Sequence, residues 1–172
     1  NGDLTDEELE DQNAITFENI AKKIQSALSD FFHPNEFPNL KIIAEPGRYF
    51  AHSSHTLVLN IIGKKVKRSK ETGETSFTYY LNDGIYGSFN CNVFDHAKPI
   101  ILPFNERDGK LYNSVIFGPT CDAIDMISDN CRLPDLAIGE WLYVEFFGAY
   151  TTAAASTFNG FHQTPAHYII KY

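Results

Sequence analysis

The sequence predicts the end of an α/β barrel followed by an all-β domain. Two observations predict it. A helically spaced apolar stripe leads into a short apolar run that closes on Glu45-Pro46-Gly47, and from His55 onward the period changes to short strand-like runs separated by turn residues.

Phe17, Ile20, Ala21, Ile24, Leu28 and Phe31 recur at helical spacing, Thr16 is a ready N-cap and Pro34 lies beyond the end, so residues 16–32 form an amphipathic helix. Lys41 to Glu45 (KIIAE) reads as a buried strand. Helix, short loop and buried strand ending in a charged residue is the closing unit of a β/α barrel. Strands follow at 56–66, 76–81, 99–102, 114–117, 140–146 and 167–170. Asn82-Asp83-Gly84, Arg107-Asp108-Gly109 and Ile138-Gly139 supply turn chemistry between them, and Trp141 is expected in the core. The expected division is 1–52 for the last helix and strand units of the barrel and 53–172 for the β-domain.

Composition excludes several classes of function. The chain has 172 residues, is 43% hydrophobic and 21% charged, and carries a formal charge of -8, which is enough length and apolar content for a folded core. Six of its acids and no base fall in the first twelve residues, a run expected to be a solvated lead-in. Lys64, Lys65, Lys67, Arg68 and Lys70 form the one basic cluster, read as an exposed strand end and loop, so no nucleic-acid footprint is expected. No apolar run approaches the ~20 residues that span a bilayer. Cys91, Cys121 and Cys131 are odd in number and at no framework spacing, so disulfides are not expected and a reducing compartment is. His52 and His55 lack a third ligand nearby, so no metal is expected. A first residue other than Met suggests a processed product or a piece of a longer polypeptide.

Several short motifs carry chemistry. Glu45-Pro46-Gly47-Arg48-Tyr49 lies where a barrel strand emerges, the end at which barrels place their active sites. Taken alone, Glu45 and Arg48 read more simply as a local ion pair. Gly118-Pro119-Thr120-Cys121-Asp122 sets a thiol beside a carboxylate on a sharp turn, although a loop cysteine is more often a small packed residue. Phe94-Asp95-His96-Ala97, Gly148-Ala149-Tyr150 and Phe158-Asn159-Gly160-Phe161 are weak singly.

In order, EPGRY, NDGIYGSFN, FDHA, GPTCDAID, GEWL, GAYT and FNGF resemble the C-terminal half of eukaryotic-type ornithine decarboxylases from about Phe17 to Ile170. That family belongs to the alanine-racemase-like class of pyridoxal-phosphate enzymes. The resemblance implies the C-terminal part of a two-domain enzyme, a β/α barrel followed by a β-sandwich or β-barrel domain, with pyridoxal 5'-phosphate as cofactor and L-ornithine as substrate. Glu45 resembles the carboxylate on the cofactor's ring nitrogen. Arg48 resembles the phosphate ligand, Pro46 and Gly47 allow close backbone approach, and Tyr150 resembles a further phosphate donor. Asp95 and Asp122 match the family's carboxylates for the substrate's distal ammonium. Phe94 stands where the family commonly has Tyr, which puts a side-chain hydrogen bond there in doubt. Phe158 resembles the aromatic wall of the substrate pocket, and Cys121 matches the residue that returns a proton to Cα. Tyr86 resembles an interface residue of a two-fold homodimer whose active sites are shared between subunits.

The same resemblance implies that the Schiff-base lysine, the histidine stacked on the cofactor and the glycine-rich phosphate loop belong to the preceding barrel segment, so this chain alone is expected to be inactive. Two alternatives remain. One is a non-catalytic, antizyme-inhibitor-like protein, for which antizyme would be the partner; such relatives tend to lose cofactor and substrate residues, whereas Glu45, Arg48, Asp95, Cys121, Asp122 and Tyr150 are all present. The other is a sister decarboxylase for lysine, arginine or diaminopimelate. Those tend to show Cys-Glu where this chain has Cys121-Asp122, and FDHA favours ornithine.

Overall fold

A computed structural model describes residues 16–170 and divides the chain into two compact units, one ending at Glu45 and the other beginning at Pro46. The acidic run at the start lies outside the described residues. In the first unit, helix α1 spans Phe17–Phe31, and the Thr16 hydroxyl caps it by accepting the Asn19 N–H at 3.2 Å. Of its apolar stripe, Phe17, Ile20, Ile24 and Phe31 are exposed and Ala21 and Leu28 half-buried.

Lys41–Glu45 corrects the expectation of a buried strand: it has no regular structure, and Ile42 and Ile43 are exposed. A barrel strand exists only through its neighbours' N–H and C=O groups, and none of the described strands pairs with it.

The second unit is built on one six-stranded sheet. After α2 (Arg48–Ala51) and a 3-10 turn (His52–Ser54) come β1 (Leu57–Arg68), β2 (Thr75–Leu81), the short helix α3 (Cys91–Phe94), β3 (Leu102–Pro103), β4 (Tyr112–Phe117), β5 (Met126–Leu133) and β6 (Trp141–Val144). The order is β3-β6-β1-β2-β4-β5, with β2 and β4 parallel and every other pair antiparallel.

Alternation along the strands selects the core. Leu57, Leu59 and Ile61 of β1, Phe77, Tyr79 and Leu81 of β2, Ile116 of β4 and Leu142 and Val144 of β6 are buried with Phe89, Leu136 and Phe147. Because Leu142 and Val144 point inward, Trp141 points out and is 50% exposed, which corrects its expected core placement. Residues 167–170 form no strand and are exposed, again because no described strand offers them a ladder.

β5 is a strand that the pattern did not announce. Asp129 and Asn130 are poor strand formers, and register shifts against β4 interrupt its alternation, so pairing with β4 rather than its own composition makes it a strand.

Candidate active site

The second unit gathers most of the sequence-assigned residues into two groups, each held by a different piece of backbone docking. In the first, the Phe147–Tyr150 loop is fastened to the segment that follows α2. Phe147 N–H donates to the His55 carbonyl at 2.8 Å and Gly148 N–H to the His52 carbonyl at 3.0 Å. A Cβ at Gly148 would collide with the Ala51 carbonyl and the Ser54 hydroxyl, so only glycine permits this approach.

That docking carries Tyr150, itself in the left-handed region at φ 58°, to the start of α2. Its ring lies under the Arg48 guanidinium, 5.2 Å from centroid to Cζ, and its hydroxyl is 2.5 Å from where a Cβ at Gly47 would stand. Arg48 is also ion-paired with Asp95, and the two side chains are 41% and 42% exposed. Asp95 caps the end of α3, donating its N–H to the Cys91 carbonyl at 2.9 Å; Phe94 beside it projects into solvent. A guanidinium, a phenol and a backbone stripped of its side chain are a donor set suited to phosphate oxygens. The Asp95 carboxylate is the member that a phosphate would have to displace from Arg48.

Glu45 closes the first unit, and Pro46 opens the second in backbone of no regular structure.

The second group lies around Tyr86. Its hydroxyl donates to Asp122 Oδ2 at 2.5 Å, and its ring stacks on Phe158 at 4.2 Å between centroids. Asp122 Oδ1 also accepts the Ile124 N–H at 3.0 Å. The Tyr86 hydroxyl, with that N–H behind it, holds the Asp122 carboxyl below its ordinary value, and the same bond pushes the Tyr86 phenol up. Cys121 is exposed, and its Sγ accepts a hydrogen bond from Asn159 Nδ2 at 3.4 Å. Asn159 sits at φ 55° followed by Gly160 at φ 78°, the turn conformation that Asn-Gly tolerates best. Among the described residues no hydrogen bond, ion pair or ring contact joins the two groups.

Three residues of the site had no role assigned from sequence: Asp83, Asp125 and Asn159. Asp83 is buried and accepts from Gly84 N–H (2.7 Å), Ser88 N–H (2.9 Å), the Ser88 hydroxyl (2.5 Å) and the Thr164 hydroxyl (2.6 Å). Asp125 is fully buried. The available signal was an acid flanked by glycines in Asp83-Gly84 and in the Gly118 to Asp125 loop, where a carboxylate takes the room that side chains would fill. The histidine pair gives the first group only its carbonyls; its rings turn elsewhere, His52 stacking on Phe146 at 5.9 Å and His55 Nδ1 lying 2.7 Å from the Ser54 hydroxyl.

Residues 11–148 match the family described as pyridoxal-dependent decarboxylase, C-terminal sheet domain. The chain belongs to that family. It is 45% identical over 164 residues to an ornithine decarboxylase from Cricetulus griseus, covering 91% of this chain and 36% of that protein. It is also 49% identical over 166 residues to antizyme inhibitor 2 from Xenopus laevis, covering 92% and 36%. Among solved structures, the Paramecium bursaria Chlorella virus arginine decarboxylase bound to agmatine superposes with a TM-score of 0.73 at 34% identity, over 84% of this chain and 38% of that one. A lysine/ornithine decarboxylase from Vibrio vulnificus complexed with cadaverine gives 0.68 at 38% identity, over 84% and 37%. The chain thus spans little more than a third of the relatives it matches.

Proposed function

We propose that this chain is the sheet-domain portion of a pyridoxal-phosphate-dependent decarboxylase that converts L-ornithine to putrescine in the cytoplasm, as a homodimer. The supporting observation is the separation of the site into two groups: a phosphate-type donor set at Arg48, Gly47 and Tyr150, and an acid and thiol set at Asp122, Cys121, Tyr86 and Phe158. Two half-sites that no hydrogen bond, ion pair or ring contact joins among the described residues suit an active site completed by a second copy.

Pyridoxal phosphate, when bound, supplies a ring that accepts the electron pair left as carbon dioxide departs. Arg48 and Tyr150 hold its phosphate, Gly47 leaves room for it, and Glu45 is assigned to the ring nitrogen. Asp95 and Asp122 pair with the distal ammonium of the substrate, whose desolvation needs compensating charge. Phe158 walls the substrate chain. Cys121 hands a proton to Cα.

A second reading has a specific observation in its favour, the 49% identity to an antizyme inhibitor. Retention of Arg48, Asp95, Cys121, Asp122 and Tyr150 favours the enzyme. The test is carbon dioxide release from ornithine, lysine and arginine by the whole polypeptide supplied with pyridoxal phosphate. Preferential release from ornithine supports the proposal. Failure to retain cofactor together with tight binding to antizyme overturns it in favour of the second reading, and preference for lysine or arginine overturns the substrate assignment.

A further inference from the structure

The turn that carries Tyr86 and the loop that carries Cys121 and Asp122 meet on a single carboxylate, and we propose that Asp125 is the positioning residue for both. The inference rests on the reading of Cys121 and Asp122 as active-site groups.

Asp125 is fully buried, and no ion pair neutralises it among the described residues. Its two oxygens are divided between the two segments. Oδ1 accepts the Ile85 N–H at 2.8 Å, one residue before Tyr86. Oδ2 accepts the Thr120 N–H at 2.9 Å and the Thr120 hydroxyl at 2.7 Å, one residue before Cys121. The main chain of Asp125 closes the same loop, its N–H donating to the Asp122 carbonyl at 3.0 Å and its carbonyl accepting the Gly118 N–H at 2.8 Å.

Two glycines make the bracket possible. A Cβ at Gly84 or at Gly118 would collide with the Asp125 carboxylate, and a Cβ at Gly84 would also stand 2.8 Å from the Gly118 Cα. The turn and the loop therefore approach backbone to backbone, with the carboxylate in the space that side chains would take. Burial of an ionised carboxylate is costly unless donors surround it, and three donors converge here. An amide could not replace it, because its NH2 would face donors. The 2.5 Å bond from Tyr86 to Asp122 joins the same two segments at their outer end, so its geometry is set by the bracket beneath it.

The test uses the whole polypeptide carrying Asp125→Asn, with Thr120→Val as a milder second variant that removes one hydroxyl and keeps the carboxylate. The readout is the titration of the Tyr86 phenol, followed by NMR of ring-labelled tyrosine and assigned with Tyr86→Phe. In the wild type it lies above 10.0, chiefly through the bond to Asp122 and to a smaller extent through the Asp125 charge itself, so Thr120→Val, which keeps that charge, is the deciding variant; its titration should fall toward 10.0, and that of Asp125→Asn further. A general loss of stability would not move the titration of the folded form. The amine-to-aldehyde ratio of the products, measured alongside, should shift several-fold toward aldehyde as Cys121 loses its position. A Tyr86 titration identical to wild type in Thr120→Val overturns the inference, whatever Asp125→Asn shows, because loss of the Asp125 charge moves Tyr86 directly. If Tyr86 shifts while the product ratio stays at the wild-type value, the positioning role stands, and the assignment of Cys121 as the proton donor is what fails.

Discussion

Arg48 and Asp95 are ion-paired across a gap of 47 residues, so the guanidinium assigned to a phosphate and the acid assigned to a substrate ammonium are partners of one another. Both are about two-fifths exposed, and solvent screening leaves such a pair worth only ~0–1 kcal/mol. A phosphate dianion with the Tyr150 hydroxyl beside it can therefore take Arg48 over and leave Asp95 free to accept an ammonium.

Arg48→Ala in the whole polypeptide should weaken pyridoxal-phosphate retention by about 10- to 100-fold, the equivalent of a lost charge-assisted contact. Equilibrium dialysis measures it. Retention equal to wild type would remove Arg48 from the phosphate site.

Asp95→Asn should raise KM for ornithine while cofactor retention holds or tightens, since Arg48 loses its competing partner. An analogue lacking the distal amine should be affected much less. Equal losses on both substrates would make Asp95 a structural residue.

The Tyr86 and Asp122 bond should hold over a defined pH range. Asp122 has its folded value lowered, so its contribution is present above the ordinary carboxyl value of 3.8 and lost as pH falls through the lower folded value. Tyr86 has its value raised, so its contribution is present below 10.0 and lost as pH rises through the higher folded value. Tyr86→Phe should return the Asp122 carboxyl toward 3.8, observable as a carbon NMR titration of labelled aspartate.

Tyr79 is buried between two backbone groups, donating to the Pro134 carbonyl at 3.0 Å and accepting the Leu136 N–H at 3.1 Å. Tyr79→Phe orphans both and should cost about 2 kcal/mol in urea unfolding. Burial pushes this phenol up to about 12, against 10.0 when unfolded. Its stability is therefore complete below pH 10 and is lost as pH rises toward 12. A wild-type alkaline unfolding curve unchanged by Tyr79→Phe would contradict this.

Cys121→Ala should still release carbon dioxide but shift products from the amine toward the aldehyde, with cofactor converted to its amine form. Mass spectrometry of the products and the cofactor's absorbance follow it. Quantitative amine formation would return Cys121 to a small residue packed in a loop.

Local patterns were enough for α1, its Thr16 cap and the long strands β1 and β2, because helical spacing, capping and alternation act within a few residues. The motif order also sufficed to identify the family. Partners distant in sequence decided the rest. Lys41–Glu45 and residues 167–170 have strand-like composition but no described neighbour to pair with, whereas β5 has weak composition and a good neighbour in β4. Trp141 and Leu142 are adjacent and both apolar, and only the register of β6 against β1 decides which faces inward. By itself the sequence determined which chemical groups are present, in what order, and the family they mark. Only the tertiary structure decided that Arg48 meets Asp95, Tyr86 meets Asp122 and Asp125 reaches Ile85, because these partners lie 36 to 47 positions apart and their approach is set by packing and hydrogen bonding that no local pattern encodes.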